Sequence, residues 1–326
     1  MVITRTPLRF SFFGGGSDFS YYYKTYGGAV LSSSINKFIY VNLNKKFESG
    51  FRISYSENEY VESVFQIKHK IIRESLLSRN VKENLEIVTV ADIPSKGTGL
   101  GSSSAFTVGL LNALNSFYEQ EISKYDLANE SSSVEIYLCN EPIGKQDHFA
   151  STFGGFNLIK FNQDGSTSVI PIINKDGIIE RLEENLLIFY TGITRNASEI
   201  LQKQANLIQT DTRRLEILHK MVNLVYTASE CLADSNLDGF GEILDLNWSY
   251  KKELSDEISN SLIDDYYQKA KKNGAIGGKI LGAGAGGFLM LYAPKEKHRN
   301  IISALNNLKI LDFKFEKHGS VLIYKD

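Results

Sequence analysis

Pro94-Ser95-Lys96-Gly97-Thr98-Gly99-Leu100-Gly101-Ser102-Ser103-Ser104-Ala105 sets three glycines within five residues ahead of three serines. Beyond it, Ala105, Val108, Leu111, Leu114 and Phe117/Tyr118 recur at three- and four-residue steps, which predicts a helix over about 102–118 with an apolar face. Glycines let a backbone pass close to a bulky anion, and a helix's first turn offers unpaired N–H groups at the positive end of its dipole. Together they make a phosphate cradle. The serine hydroxyls can cap the helix, ligate a magnesium ion, or both. A Gly/Ser loop that merely caps a helix has the same composition, so the rest of the chain has to decide.

The 326 residues exceed the usual size of a single core, so one large or two intimate domains are expected. Hydrophobic residues at 42% and charged residues at 23% describe an ordinary globular protein, and a net charge of −2 gives no reason to expect a nucleic acid or an acidic membrane as partner. Cys139 and Cys231 lie far apart, which argues against a disulfide framework or a zinc site and fits a reducing cytoplasm. MVITRTPLRF lacks the apolar core of a signal peptide, and Leu281–Ala293 is too short and glycine-rich to span a bilayer. A cytoplasmic protein is the expectation.

In chain order, strands are expected at 1–13, 29–34, 37–47, 51–55 and 85–90, with a helix over 59–79 whose apolar face is Val61, Val64, Phe65, Ile71/Ile72 and Leu76. The first strand runs into Gly14-Gly15-Gly16-Ser17-Asp18, followed by a tyrosine cluster (Tyr21, Tyr22, Tyr23, Tyr26) suited to stacking on a sugar or to the rim of a core. A second helix, 124–139, ends before Pro142. The polar run Gly144-Lys145-Gln146-Asp147-His148 precedes strands 156–161 and 167–173. Strand 186–190 leads to Thr191-Gly192-Ile193-Thr194-Arg195, and 196–272 reads as three helical segments broken near 210, 235 and 255. Strands 275–281 and 287–293, helix 295–308 and strands 310–316 and 319–325 close an α+β pattern. The division is placed at 1–185, a nucleotide-binding and catalytic domain, and 186–326, a substrate-binding domain.

Gly282-Ala283-Gly284-Ala285-Gly286-Gly287 formally matches GxGxxG, but the strand-like Phe288–Tyr292 follows where a dinucleotide fold needs a helix. A glycine hairpin beside a nucleotide fits better. Neither glycine cluster continues into Gly-Lys-Ser/Thr, which excludes a Walker loop, and no HRD/DFG set, HExxH or GxSxG occurs. A carboxylate at Asp147 could orient and deprotonate a hydroxyl, and Glu135 could complete an oxygen-rich magnesium site with a serine; taken singly, each is more often a solvated surface charge.

Three separated motifs together resemble the GHMP family of small-molecule kinases, which includes galactokinase, homoserine kinase and mevalonate kinase. They are Thr6–Asp18, Pro94–Ala105 and Lys279–Phe288, in that order along the chain. The resemblance implies two domains, the first like ribosomal protein S5 domain 2 and the second ferredoxin-like, with the active site between them. The forms RFSFFGGGSDF, GKQDHFAS-x-FGGFN and TGITRNAS are most similar to the bacterial D-glycero-D-manno-heptose 7-phosphate kinases, with fucose or galactose kinases, or a non-catalytic sensor of the same fold, as alternatives. That likeness implies ATP- and Mg2+-dependent phosphorylation of the anomeric hydroxyl, in the supply of nucleotide-activated heptose for surface polysaccharide. By position it makes Asp147 the catalytic base and sets Arg9 beside the transferred phosphoryl. Pro94, Lys96, Gly97, Thr98, Gly99, Leu100, Gly101, Ser102, Ser103 and Ser104 would wrap the nucleotide phosphates, and Ser103 and Glu135 would ligate magnesium. Gly15, Gly16, Asp18, Tyr22, Asp147, Arg195, Gly284 and Gly286 would meet the substrate. Arg195 is the first candidate for the acceptor's phosphate, ahead of Lys252 and Lys24. Small molecules are the expected partners, with oligomeric state left open.

Overall fold

A computed structural model describes residues 1–82, 84–93, 97–194 and 197–326. Strand β1 (Val2–Phe13) runs through helix α1 (Ser20–Tyr26) to the long strand β2 (Gly28–Lys45). Then come β3 (Phe51–Ser54), β4 (Asn58–Val61), α2 (Lys70–Ser78), β5 (Leu85–Ala91) and α3 (Ser102–Phe117). Helix α4 (Lys124–Ser133) continues into a π-helical turn, Val134–Leu138, and α5 (Gln146–Phe153) leads into β6 (Phe156–Phe161) and β7 (Thr167–Pro171). After α6 (Ile178–Glu184) and β8 (Leu186–Tyr190) the chain forms α7 (Ala197–Thr210), α8 (Thr212–Ala233), α9 (Leu237–Leu254) and α10 (Ser261–Lys272). It closes with β9 (Gly277–Ile280), β10 (Phe288–Tyr292), α11 (His298–Ala304), β11 (Lys309–Ile310) and β12 (Val321–Lys325).

Two sheets organise these elements. The first follows the order β12-β1-β2-β5-β3-β4, with the β6–β7 hairpin also paired to β2; the second is β11-β8-β10-β9. Helix α3 lies on β1 and β2 so closely that Thr4 donates to the Gly109 carbonyl at 2.8 Å, and a Cβ at Gly109 would sit 2.8 Å from Thr6 Oγ1. The helix is apolar almost all round because it is buried almost all round.

Several expectations change. The predicted 59–79 helix is β4, a short 3₁₀ turn and then α2; Phe65, assigned to its apolar face, is exposed. Alternation in 58–61 serves a hairpin with β3 (Phe51↔Val61), which the helical reading overlooked. The two strands expected at 29–34 and 37–47 are one, interrupted where Pro7 pairs with Phe38 but Leu8 with Ile35, so that Asn36 and Lys37 bulge. The 196–272 region has four helices among the described residues, broken at about the expected places. Strand β12 leaves the second half of the chain and pairs with β1 (Val2↔Lys325), and Phe315 bridges to Ile35. The second sheet therefore takes the chain only as far as β11, and the last residues of the proposed 186–326 unit complete the first sheet.

Candidate active site

The glycine-serine stretch meets the end of β1 at the floor of a cleft between the two sheets. Gly97, Gly99 and Gly101 all have positive φ (68°, 77° and 75°), and Gly101 precedes α3 with no side chain capping that helix. The serines therefore do not cap; Ser102, Ser103 and Ser104 line the cleft with Gly97, Thr98, Gly99 and Gly101. Leu100 is buried, but its carbonyl accepts the Arg9 amide at 3.0 Å and so holds the loop against β1. Pro94 and Lys96 lie outside the described residues. The closing glycine turn packs on this loop. A Cβ at Gly99 would sit 2.3 Å from the Leu281 carbonyl, and one at Gly287 2.4 Å from that of Thr98.

Arg9 and Asp147 form a fork. Arg9 Nε and Nη2 donate to the two Asp147 oxygens at 2.7 and 2.6 Å, and Nη1 donates to the Gly99 carbonyl at 2.8 Å. The bidentate geometry fixes the carboxylate's plane as well as its place. Asp147 lies in the first turn of α5, where the sequence pattern showed only a polar run. One residue earlier, Gln146 donates through its backbone and side chain to Asp18, each at 3.1 Å, while Ser11 donates to Gln146 Oε1 at 2.8 Å. Burial raises the Asp18 carboxyl above its ordinary range against these hydrogen bonds, and the neighbouring Asp147 charge adds to that. Gly15, Gly16, Asp18 and Gln146 line one wall of the cleft; Ala197, Ser198 and Gln204 of α7 line the other.

Glu135 opens the π-helical turn. There the Cys139 amide donates to the Val134 carbonyl, five residues back, at 2.8 Å, in place of the continuous helix expected over 124–139. The widened turn aims Glu135 at α3. Ser103 donates to its Oε2 at 2.8 Å, Thr107 to its Oε1 at 2.7 Å, and His148 Nε2 lies 2.9 Å from Oε1. Burial would push this carboxyl up, but His148 and the two hydroxyls outweigh it and hold it below the usual carboxylate range. Oε1 is thus occupied by protein donors, while Oε2 and Ser103 Oγ present paired hard oxygens to the cleft. That donor set fits a magnesium ion completed by phosphates and water.

Two lysines escaped the sequence reading. Lys279 on β9 donates to the Ser11 and Phe12 carbonyls at 2.8 and 2.9 Å, and Lys251 near the end of α9 donates to the Gly282 carbonyl. Burial, reinforced by Arg9, lowers Lys251 to about 8; burial, with Lys251 and Arg9 adding, takes Lys279 well below its ordinary range. Signals for both were present. Lys279 interrupts a short apolar strand, and Lys251 falls on the buried face of α9 with Phe240, Leu244 and Trp248.

Other assignments move. Lys252 points away from that face and pairs with Asp264 at 3.5 Å, and Lys24 lines a neighbouring polar hollow. Tyr22, expected at the substrate, does not line the cleft. It is buried against α8, its hydroxyl 2.6 Å from His219 Nδ1, because α1 turns it into the second core. Gly284 and Gly286 line a small crevice with Gly97 and Gly99, which places them nearer the nucleotide loop than the sugar wall. Arg195 lies outside the described residues; Ala197 and Ser198, just after it, line the cleft. A hollow of mixed lining, bounded by Tyr55, Glu57, His69, Ile93 and Phe106, adjoins Ser102 and Ser103 on the loop's other side.

A glycine-rich loop, a carboxylate fixed by an arginine and a polar wall share one cleft, an arrangement suited to small-molecule phosphoryl transfer. The profile of the GHMP kinases N-terminal domain matches residues 59–155 and that of the GHMP kinases C-terminal domain matches 228–310. A D-glycero-alpha-D-manno-heptose 7-phosphate kinase of Campylobacter jejuni is 32% identical, over 98% of this chain and 97% of that protein. Among solved structures, a D-glycero-D-manno-heptose 1-phosphate kinase from Bacteroides thetaiotaomicron superposes with a TM-score of 0.81 at 25% identity over 100% of both chains. A putative sugar kinase from Campylobacter jejuni gives 0.74 at 28% identity over 98% and 97%. The chain belongs to the GHMP kinase family and is a kinase with the two-domain α+β fold of that family. Among the described residues, no helix is long and apolar enough to cross a membrane.

Proposed function

We propose that this kinase transfers the γ-phosphoryl of ATP to the anomeric hydroxyl of D-glycero-D-manno-heptose 7-phosphate. The observation that carries the reading is the Arg9–Asp147 fork, set between the glycine loop and the wall that holds Asp18. Residues 97–104 receive the triphosphate, and the hollow beside Ser102 and Ser103, with Tyr55, His69 and Phe106 among polar groups, takes the nucleotide base. Ser103 and Glu135 would hold magnesium, which when bound neutralises phosphate charge. Asp18, held by Gln146, accepts hydrogen bonds from sugar hydroxyls, and Asp147 takes the proton of the attacking one. Phosphoryl transfer depends on positioning and charge neutralisation, and a cleft built of fixed donors suits it. Arg195 remains the proposed contact for the acceptor's own phosphate, since a buried dianion is costly unpaired.

The two heptose kinase relatives carry names that differ in the position of the acceptor's phosphate, so the second reading is a 1-phosphate acceptor. A panel of heptose 7-phosphate, heptose 1-phosphate, free heptose, fucose and galactose, read by ADP release and by phosphorus NMR of the product, separates them. Preference for the 7-phosphate with a new anomeric phosphate is the expected result. A preference for any other acceptor overturns the substrate assignment, and nucleotide binding without turnover across the panel makes the protein a sensor.

A further inference from the structure

The Arg9 charge is already spent within the cleft. Its Nε and Nη2 are matched one to one with the Asp147 oxygens, and Nη1 is on the Gly99 carbonyl, so the fork is close to neutral as a unit. Lys279, for its part, has turned its ammonium onto two backbone carbonyls of β1. Lys251 differs from both. Among the described residues its ammonium meets a single acceptor, the Gly282 carbonyl, although the residue is only 5% exposed and lines the cleft. Gly282 is the residue that packs on Gly99 of the phosphate loop, where a Cβ would lie 2.4 Å from the Gly99 Cα. The Lys251 ammonium is therefore held at the loop's reacting end, in electrostatic range of Arg9, Asp18 and Asp147. This immediate cluster holds the cations Arg9, Lys251 and Lys279 against the carboxylates Asp18 and Asp147. Glu135 and Glu141 also line the cleft, the first held by His148 and α3 and the second accepting from Ser198 at 2.8 Å. A buried lysine with donors to spare on the lining of a cleft is a site for an anion.

We propose that Lys251 is a catalytic residue, supplied by the second domain, whose ammonium contacts the phosphoryl group as it passes from the nucleotide to the acceptor. The proposal rests on the kinase reading above and not on which sugar is the acceptor. In the step, the bond from the γ-phosphorus to the bridging oxygen breaks and its electron pair leaves with ADP. The bond from phosphorus to the acceptor oxygen forms, and the hydroxyl proton goes to Asp147. Negative charge spreads over the three oxygens in flight, and Lys251 faces it with the cation the Arg9–Asp147 fork does not leave free.

The test uses ADP with aluminium fluoride, a mimic of the moving phosphoryl that contains no acceptor. Calorimetry compares its affinity with that of ADP alone, in magnesium buffer, for the wild type, Lys251→Met, Lys251→Arg and Lys252→Ala. The wild type and Lys252→Ala should bind the fluoride complex much more tightly than ADP. Lys251→Met, which keeps the buried stem, should bind ADP normally and lose about 100-fold of that increment, the scale of one lost charge-stabilising donor. Lys251→Arg should recover part of it. An undiminished increment in Lys251→Met, no increment in the wild type, or an equal loss for ADP alone overturns the proposal. With any acceptor the wild type turns over, kcat should fall while the acceptor KM stays within a few-fold. A rise confined to the acceptor KM also overturns it. An acceptor panel that rejects heptose 7-phosphate leaves the fluoride result standing, so the two failures are distinct.

Discussion

At the scale of single residues, the chemistry concentrates on Asp147. Arg9 grips both its oxygens, yet its side chain is still 21% exposed to the cleft, against 5% for Arg9, so the carboxylate is oriented and remains reachable. Asp147→Asn keeps the shape but weakens the fork and removes the proton acceptor. Turnover should drop by about 100- to 10,000-fold with ADP affinity nearly unchanged, measured by steady-state kinetics and calorimetry. Near-normal turnover would take Asp147 out of the role of base. How legible these residues were depended on how local their evidence was. Asp147, Arg9 and Ser103 stand in short motifs and Glu135 on the helix expected before Pro142, and the structure brings Arg9 to Asp147 and Ser103 to Glu135 within hydrogen-bond distance. Lys251 escaped notice beside Lys252 because nothing local distinguishes two adjacent lysines; only the phase of α9 against the second sheet turns one into the cleft and the other toward Asp264. Tyr22 was taken as a sugar contact for its ring, while the turn of α1 sends that ring to His219.

Among the elements, the loop before α3 is tightly packed at Gly99. Gly99 has φ of 77° and faces the Leu281 carbonyl across a gap that leaves a Cβ at 2.3 Å. Gly99→Ala therefore meets a left-handed backbone cost of about 1–2 kcal/mol and a clash with main chain that cannot swing aside. The loop should shift away from the 282–287 turn. The expected outcome is a lower melting temperature and ADP affinity reduced at least tenfold; unchanged affinity would show that the close packing of the two glycine segments is not what shapes the cradle. This contact also explains why Gly282–Gly287 mimics a dinucleotide motif without being one. Its glycines are needed for backbone passing backbone at Gly99 and Thr98, with a strand and not a helix behind them. The π-helical turn at Glu135 is the opposite case. No residue type in 134–138 announces it, because the extra residue is accommodated to point one side chain at α3.

For the molecule as a whole, the two halves of the chain are not separable beads. β12 pairs with β1, Phe315 bridges to Ile35, Lys279 holds the end of β1, and the largest core cluster takes in Val225, Phe240, Leu281 and Met290 with Phe10 and Leu31. A fragment ending at 185 would lack β12 and leave much of that core uncovered. It should unfold without a sharp thermal transition, while the full chain melts cooperatively; a sharp transition in the fragment would show that 1–185 is autonomous after all.

Taken alone, the amino-acid order determined what depends on near neighbours: the glycine loop and its helix, most strands of both sheets and the family. Such features follow from backbone freedom and periodicity over a few residues. Tertiary structure decided the return of the last strand to the first sheet, the charge of the cleft floor through Lys251 and Lys279, and the burial of Tyr22. Each of those turns on contacts between residues far apart in the chain. There the gain from packing apolar surface and satisfying buried charge outweighs any local preference, and no window of sequence contains both partners.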